Sequence, residues 1–567
     1  MNKRFIIFAC AVVLIAALVG GGVGRSRRFR WSAQQNSSNS YARADEIEKD
    51  YNNAVAEISN NYAGDIDYEK ATQAAIQGML STLDPHSMYF PYNEFRKLKE
   101  DQDSRFYGIG VTIVQHRDGV YVQSAVEGTP AAKLGLRYGD RILEVDGKDA
   151  RQWSSEQVSK NVRGGRGEPV QIKVERADSE SPLYFTIVRD AVPLPSIRNA
   201  YMLRPGTGYV GLTGGFQNTS DEELREALDR LKGQGMRQLI LDLRNNPGGL
   251  LNQAIDVASE FLPRGQVIVS VKGRTEYSDP IIYKSSGTDP EDVPLVVLIN
   301  RGSASASEIV AGAIQDHGRG LIVGETSFGK GLVQRVFPLP FNTGLTLTTA
   351  RYYTPYGRSL QRDYSNGSLY DYYTRHEAEA QPAASPGVRD PESPLAQASP
   401  TPFPQMGPAV KTAAGRVFYG GGGITPDIDA KPLTFTPARN RIAEAAFQFT
   451  RLLAGGKIAG LENYKVERVL YGKSPKANDY PITEKVVEAF RTWVRNDAES
   501  HLTQAQVEED ADFVKLRLRE EIITAAFSND AGARVLFDSD PQVLRALEAL
   551  PDAKRLAESV KQGTSRG

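Results

Sequence analysis

The segment from Val296 to Gln334 contains a serine and a lysine whose chemistry could be used together. Ser305 lies in the run GSASASE, and Lys330 lies in FGKG 25 residues later. A serine hydroxyl becomes a nucleophile when an adjacent base removes its proton, and a lysine can be that base when burial lowers its pKa. The alternative is ordinary, because Ser303, Ser305 and Ser307 are all good helix N-caps and a loop lysine is usually solvated. The two residue types alone leave both interpretations open.

The surrounding pattern predicts elements that would bring the two residues to one place. An apolar strand, Leu295 to Ile299, ends in Asn-Arg-Gly, and a helix follows with apolar residues at i, i+3, i+4, i+7 and i+8. Ser305 is therefore expected at a helix N-terminus, where unpaired N–H groups and the helix dipole suit a developing oxyanion. The next strand, GLIVGE, returns to the loop that carries Lys330.

Several motifs resemble one family of peptidases. GSASASE followed by GETSFGKGLVQ strongly resembles the C-terminal processing peptidases, also called tail-specific proteases, which are Ser/Lys endopeptidases. The resemblance implies that Ser305 is the nucleophile, Lys330 the general base and Gln334 the residue that orients the lysine. LDPHSMYF, TPYGRSLQ and GGGITPDI are similar to further family segments, so the likeness covers roughly residues 41–428.

The same resemblance implies an oxyanion site. LDLRNNPGGLL, residues 241–251, is similar to the strand and glycine turn that contribute to the oxyanion hole in that family. It implies that the N–H of Gly248 or Gly249 acts together with the N–H of Ala306, which follows the nucleophile. The choice between the two glycines stays open.

A β-rich stretch of about 90 residues has its own interpretation. GIGV, the segment VEGTPAAKLGLRYGDRILEVDG and a helix-like stretch near residues 154–162 resemble a PDZ domain. In PDZ domains a glycine-rich loop binds the terminal carboxylate of a peptide, and the peptide adds as a strand. The matching positions are Gly108, Ile109, Gly110 and Val111, whose alternative role is an ordinary tight turn.

The expected fold is an α+β multidomain chain. Strands alternate with helices from residue 208 to about 429, which predicts a layered α/β core, and the resemblance implies a crotonase-like protease core with an inserted PDZ domain and helical N- and C-terminal segments. In the family the TPxGxSIQ strand runs almost directly into GIxPDI, whereas about 60 residues intervene here. The expected regions are a signal or anchor at 1–24, a linker at 25–40, an N-terminal helical region at 41–105, a PDZ-like domain at 106–190, a protease core at 191–363 plus 414–436, a Pro-rich disordered insertion at 364–413 and a C-terminal helical region at 437–567.

The first 24 residues are typical of an export signal. Lys3 and Arg4 precede an uncharged stretch from Phe5 to Gly24, whose 20 residues just reach the length of a membrane span. The segment is borderline between a cleaved signal peptide and an anchor, and the lack of an Ala-x-Ala site favours the anchor. We expect an exported, periplasmic or other extracytoplasmic protein, anchored to the inner membrane by residues 5–24.

The composition excludes other classes of function. The 567 residues include 68 Lys plus Arg and 69 Asp plus Glu. The chain therefore lacks the excess of basic residues that is typical of nucleic-acid-binding proteins. Cys10 is the only cysteine and lies in the N-terminal apolar run, and the five histidines are scattered. We therefore expect no disulfide, no metal and no cofactor.

A His/Asp/Ser triad and an inactive PDZ scaffold or chaperone are the rival interpretations. NNPGG resembles the GNSGG of triad enzymes only superficially, since Pro247 stands at the serine position. His317 would lie about 18 Å from Ser305 along one helix. His86 stays open, although a structural role is favoured. The expected function is a serine endopeptidase that binds apolar C-terminal tails of protein substrates through its PDZ domain and hydrolyses them through an acyl-enzyme, and the terminal helices are compatible with a homodimer.

Overall fold

A computed structural model describes residues 37–274, 279–362, 407–412 and 415–564. The chain divides into two units, Met1–Ala75 and Ile76–Gly567. The expected export segment, residues 25–36 of the linker and residues 364–406 and 413 of the Pro-rich insertion lie outside the described ranges. Within those ranges, no helix is both long and apolar enough to cross a membrane.

The region before the β-rich module is mainly helical. Helix α1 (Ser37–Asn61) begins inside the stretch expected as a linker, at a run of Ser and Asn residues, which are common at helix starts. It is followed by α2 (Tyr68–Ser81), the short strand β1 (Met88–Phe90) and α3 (Tyr92–Gln102).

Residues 105–193 contain the PDZ-like module. Its strands and helices are β2 (Arg105–Gly108), β3 (Val111–His116), β4 (Gly119–Ala125), α4 (Pro130–Leu134), β5 (Arg141–Val145), β6 (Lys148–Asp149), α5 (Ser155–Val162), β7 (Pro169–Glu175), β8 (Leu183–Val188) and β9 (Asp190–Pro193). The main sheet has the order β3-β4-β5-β7-β8, with β6 beside β5, while β2 pairs with β9. Along β7, Val170, Ile172 and Val174 alternate inward and are buried, as the sequence predicts.

The α/β core is built on a six-stranded sheet. Its elements are β10 (Ile197–Arg204), β11 (Thr207–Leu212), α6 (Ser220–Gly233), β12 (Gln238–Asp242), α7 (Leu251–Ser259), β15 (Leu295–Ile299), α8 (Ala306–His317), β16 (Leu321–Gly324) and β21 (Ile428–Asp429). The order is β10-β11-β12-β15-β16-β21, and all neighbours are parallel except β10 and β11. Parallel strands put their carboxyl ends on one edge, so the loops after β12, β15 and β16 meet there.

A second sheet packs beside the first. Its strands are β13 (Val267–Gly273), β14 (Ile281–Lys284), β17 (Leu332–Leu339) and β18 (Thr343–Tyr353), together with β1, in the order β1-β18-β13-β14 with β17 also on β18. The strands β19 (Val410–Lys411) and β20 (Val417–Phe418) form a small antiparallel pair. The end of the insertion that was expected to be disordered therefore contains a strand, because Val410 and Lys411 have backbone partners.

The C-terminal residues are helical, as predicted. They form α9 (Pro437–Ala454), α10 (Glu484–Asn496), α11 (Gln504–Glu509), α12 (Ala511–Ala526), α13 (Asn529–Phe537) and α14 (Pro541–Thr564). The helices α9 to α13 share one apolar cluster with Tyr121 and Tyr138 of the PDZ-like module. Helix α14 instead covers one face of the central sheet, and α6, α7 and α8 cover the other. The layered α/β core expected from the sequence is confirmed.

Candidate active site

Ser305 lies at the start of α8, immediately after the turn that follows β15. Strand β15 is buried along its whole length, which fixes the position from which this turn departs. Ser305 has φ +55° and ψ −112°, a conformation that residues with a Cβ rarely adopt. Strained backbone of this kind is held in place by its surroundings and is concentrated at functional sites.

The flanking serines of the SASAS run have structural partners. Ser303 donates its hydroxyl to the carbonyl of Leu243 at 2.7 Å, and Ser307 donates to the carbonyl of Asn246 at 2.9 Å. Both serines are fully buried, whereas Ser305 is partly exposed and lines a cavity. The outer serines therefore join the Ser305 loop to the glycine turn, and of these three serines only the middle one faces the cavity.

One buried carboxylate holds the main chain of both candidate catalytic residues. Oε2 of Glu308 accepts hydrogen bonds from the N–H of Ser305 and the N–H of Lys330, each at 2.8 Å. Its Oε1 accepts from the hydroxyl of Ser327 at 2.5 Å and the N–H of Gly329 at 2.7 Å. Because the nitrogens of Ser305 and Lys330 donate to the same oxygen, they lie no more than twice 2.8 Å apart. Glu308 thus fixes the spacing of two loops that are 25 residues apart in sequence.

Lys330 lies in an environment that favours its neutral form. Burial lowers the pKa of its ammonium below the ordinary value, while the carboxylates of Glu308 and Asp84 act in the opposite direction. The N–H of Phe328 also donates to the carbonyl of Ser303 at 2.9 Å, which connects the Lys330 loop directly to the Ser305 loop. A half-buried lysine with a lowered pKa, on a fixed loop, suits proton transfer.

The glycine turn after β12 lies against Ser305. A Cβ added to Gly248 would be 2.7 Å from the Cβ of Ser305 and 2.9 Å from the nitrogen of Ala306, so only glycine fits there. The N–H of Gly248 donates to Oδ1 of Asn246 at 2.9 Å. Among the described residues, none accepts a hydrogen bond from the N–H of Gly249. The N–H of Ala306 has no partner inside α8, as is general for the first residues of a helix.

Gln334 and His86 are on the walls of the same cavity. Gln334 lies on β17 and donates its Nε2 to the hydroxyl of Thr348 at 3.3 Å. His86 precedes β1, and burial together with the positive charge of Lys330 lowers its pKa to about 4. The imidazole is therefore neutral at neutral pH. His317 is at the far end of α8, where its Nε2 lies 2.7 Å from the carbonyl of Val267.

The cavity that contains these residues is large and is shared by three regions. Its volume is about 1140 Å³. Besides the core residues, it is lined by Val111 and Thr112 of the PDZ-like module and by Tyr471 and Asp530 of the C-terminal helical residues. A tail bound along the PDZ-like module could therefore extend within one cavity to Ser305.

The four PDZ positions lie at the end of a smaller groove. Gly110 has φ +81°, and a Cβ there would be 2.3 Å from Thr129, so this position requires glycine. Ile109 is buried, and its carbonyl accepts from the N–H of Ala131 at 2.9 Å. The groove is lined by residues of the β2–β3 loop and of α5, namely Gly108, Ile109, Gly110, Val111, Val158 and Val162. Val111 lines both this groove and the large cavity.

Two residues with positioning roles were missed in the sequence. Glu308 lies three residues after Ser305, where the glutamate of a capping box is expected, so its position carried a usable signal. Asn246 is fully buried, and its side-chain amide donates to the carbonyl of Leu212 at 2.7 Å. No sequence pattern identifies that contact, because the two residues are 34 positions apart, Leu212 at the end of β11 and Asn246 in the loop after β12.

Comparison with known proteins gives a consistent result. The family model described as Peptidase family S41 matches residues 206–372, a PDZ domain model matches 98–175, and the activating protease CtpB N-terminal domain matches 24–93. The carboxy-terminal-processing protease of Bartonella bacilliformis is 35% identical over 364 residues, covering 64% of this chain and 81% of its own length. The carboxy-terminal processing protease CtpB of Bacillus subtilis is 33% identical over 64% of this chain and 76% of its own length. A solved photosystem II D1 C-terminal processing protease is 32% identical, covering 53% of this chain and 81% of that one, with a TM-score of 0.32.

Proposed function

This chain belongs to the carboxy-terminal processing proteases, serine-type peptidases of family S41 with a PDZ domain, and from that premise we propose that Ser305 is its nucleophile and Lys330 its general base. The observation that carries the proposal is the contact of Glu308 with both residues. It sets their main chains side by side at the wall of one cavity, and burial lowers the pKa of the lysine there.

In the acylation step the neutral amine of Lys330 takes the proton from the hydroxyl of Ser305. The Ser305 oxygen attacks the peptide carbonyl carbon, and the π electrons of the carbonyl move to its oxygen. The N–H of Ala306 and a glycine N–H of the turn donate to this oxyanion. Because the N–H of Gly248 is already bonded to Asn246, we assign the second donor to Gly249. The C–N bond then breaks, and the leaving amine takes the proton from the Lys330 ammonium.

Deacylation repeats the same proton transfers with water. A water molecule gives a proton to Lys330, and its oxygen attacks the ester carbon that is bonded to Ser305. When the tetrahedral intermediate collapses, Ser305 recovers the proton and the carboxylic acid product leaves. Gln334 is proposed to orient the lysine amine through these transfers, since it faces the same cavity.

The PDZ domain is proposed to select apolar tails. Backbone N–H groups of the loop from Gly108 to Val111 would bind the terminal carboxylate, and the tail would add as a strand beside β3. The groove is lined mainly by apolar side chains, among them Val158 and Val162 of α5, together with Ser159 and Arg163. An apolar last residue is therefore favoured over a charged one, because a charge would lose its hydration there.

The test uses protein lacking residues 1–40 and an unstructured substrate that ends in apolar residues. We expect cleavage by this protein and by Lys272→Ala, a variant of an exposed lysine outside the site, but none by Ser305→Ala or Lys330→Ala. Tail binding, followed by fluorescence anisotropy, should persist in all four proteins. Full activity of Lys330→Ala would contradict the proposed Ser305/Lys330 dyad. If the unmutated protein binds the tail but does not cleave the substrate, the protein is an inactive scaffold.

We further propose that residues 5–24 anchor the enzyme on the extracytoplasmic side of a membrane and that it functions as a homodimer. Membrane fractions of cells that express the full chain should contain the protein, and deletion of residues 1–40 should release it. Light scattering of the purified protein measures the oligomeric state. A full chain in the cytoplasmic fraction, or a monomer, would contradict the respective proposal.

A further inference from the structure

Arg244 occupies a buried position between the glycine turn and the C-terminal helix. It follows β12 by two residues, and its side chain is 10% exposed. Its Nε and Nη2 donate to the carboxylate of Asp242, which also accepts from the hydroxyl of Tyr209 at 2.7 Å. Nη1 points away from Asp242 and has other partners.

Those partners are Asp540, which immediately precedes α14, and Gln542 in its first turn. Nη1 of Arg244 donates to Oδ2 of Asp540 at 2.7 Å and to Oε1 of Gln542 at 2.8 Å. The other carboxylate oxygen of Asp540 accepts from the N–H of Gln542 at 2.8 Å and so caps the helix. Nε2 of Gln542 donates to the carbonyl of Ala430 at 2.7 Å, just past β21. Two polar side chains at the start of α14 therefore link the ends of two core strands.

The turn that starts at Arg244 reaches Ser305 within a few residues. Asn246 accepts at its carbonyl from the N–H of Ala304 at 3.0 Å, and its side chain holds Gly248. A shift of Arg244 would be transmitted along this short, hydrogen-bonded turn to the glycines beside the nucleophile. Misplacement by about 1 Å can reduce a rate about 100-fold.

We propose that Asp540 and Gln542 are positioning residues for peptide hydrolysis. They hold Arg244, and through it the turn that presents Gly248 and Gly249 to Ser305. The C-terminal helix thereby contributes to the oxyanion site as well as to the core. This inference rests on the proposed function, because it takes the glycine turn as the oxyanion site.

The helix offers controls that separate positioning from stability. Leu550, Ala546, Ala549 and Ala553 of α14 belong to the apolar cluster against the sheet, and their side chains contribute packing alone. Asp538, two residues before Asp540, forms a similar ion pair with Arg204 at 2.7 Å, but both side chains are about half exposed. An asparagine at position 540 could still cap the helix.

The experiment measures kcat, KM and Tm with an unstructured tail peptide for Asp540→Asn, Gln542→Ala, Asp538→Asn and Leu550→Ala. We expect Asp540→Asn and Gln542→Ala to lower kcat about 10- to 100-fold with KM changed less than twofold. Asp538→Asn should match the wild type, and Leu550→Ala should lower Tm more than Asp540→Asn while keeping kcat. A peptide aldehyde, which forms a tetrahedral adduct with the nucleophile, should bind more weakly to Asp540→Asn in proportion to its kcat loss.

Two outcomes would overturn the inference. One is a kcat within twofold of wild type in both Asp540→Asn and Gln542→Ala. The other is a kcat loss in Leu550→Ala as large as in Asp540→Asn, because general destabilisation would then explain both. Ser305→Ala is measured in the same assay. Full activity of Ser305→Ala would overturn both the proposed function and this inference. If Ser305→Ala is inactive while Asp540→Asn keeps the wild-type kcat, this inference alone is overturned.

Discussion

Glu308 acts on the two proposed catalytic residues through their main chain. The buried side chain of Glu308 accepts four hydrogen bonds and donates none. An ionised carboxylate, which has two acceptor oxygens and no donor, fits this set of partners. Burial raises its pKa, while those hydrogen bonds lower it. The carboxylate thus fixes two loops at once, and its replacement should affect catalysis more than binding.

We expect Glu308→Gln to lower kcat about 100-fold, because an amide nitrogen would face N–H donors and push the loops apart. Glu325→Gln is the matched control, since Glu325 follows β16 in the loop that leads to Lys330, and its carboxylate forms an ion pair with Arg301 at 3.3 Å. Steady-state kinetics with a tail peptide checks this. Equal kcat values for Glu308→Gln and the wild type would show that Glu308 does not position the dyad.

Lys330 should destabilise the folded state at neutral pH. Burial lowers its pKa, so between that lowered value and about 10.4 the unfolded chain binds more protons than the folded one, and stability rises with pH. We expect Lys330→Met to raise Tm at pH 7 by about 2 °C or more, with a smaller difference at pH 9. The control Lys272→Met should change neither value. Thermal scans at both pH values measure this, and a lower Tm for Lys330→Met at pH 7 would argue against a buried lysine.

The sequence motifs identify Ser305, Lys330 and Gln334 as candidate site residues. They do not identify Asn246 and Arg244, whose hydrogen bonds support the loops of the site. Ser305, Lys330 and Gln334 all line one cavity. Ser305 and Lys330 follow the adjacent parallel strands β15 and β16, and Gln334 lies on β17, which begins two residues after Lys330. Asn246 and Arg244 acquire their roles from partners far away in sequence. Neither composition nor periodicity reports such contacts.

At the scale of elements, the PDZ domain and the helices α9 to α13 form one packed interface. The ring of His116 stacks on Phe447 with centroids 3.7 Å apart, and its Nδ1 lies 2.5 Å from Glu444. The hydroxyl of Tyr138 donates to Glu521 at 2.9 Å. The spacing of apolar residues predicted that the C-terminal region is helical. It did not predict that these helices pack on the PDZ domain, since the contacting residues are more than 300 positions apart in sequence.

We expect Phe447→Ala to lower the free energy of unfolding by about 3–5 kcal/mol, because it removes a buried aromatic ring from this interface. The control is Phe341→Ala, since Phe341 is 91% exposed and should contribute almost nothing. Urea denaturation measures both. Similar stabilities for the two variants would mean that the interface does not hold the PDZ domain.

At the scale of the whole molecule, three regions of the second unit line the cavity that contains Ser305. Val111 belongs both to the PDZ groove and to the cavity wall, and Tyr471 and Asp530 face it from the C-terminal side. The proposed path therefore begins at a free chain end and leads to Ser305. The sequence predicted the two functional modules, whereas their connection through one cavity depends on packing that no local pattern encodes.

We expect amidation of the substrate C-terminus to raise KM about tenfold or more. The amide cannot make charge-assisted hydrogen bonds to the PDZ loop, which are worth about 1.5–3 kcal/mol. Matched peptides with a free acid and an amide, compared at equal length, measure this. An equal KM for the two peptides would contradict carboxylate capture.

The proposed acylation of Ser305, with neutral Lys330 as its base, can be observed directly by mass spectrometry of the acyl-enzyme. The enzyme is mixed with an activated ester of an apolar peptide and quenched at intervals from pH 5 to pH 9. We expect one acyl group on Ser305, formed faster as pH rises because Lys330 loses its proton, and no acylation in Lys330→Ala. An acyl group on another residue, or acylation of Lys330→Ala at the wild-type rate, would contradict the claim.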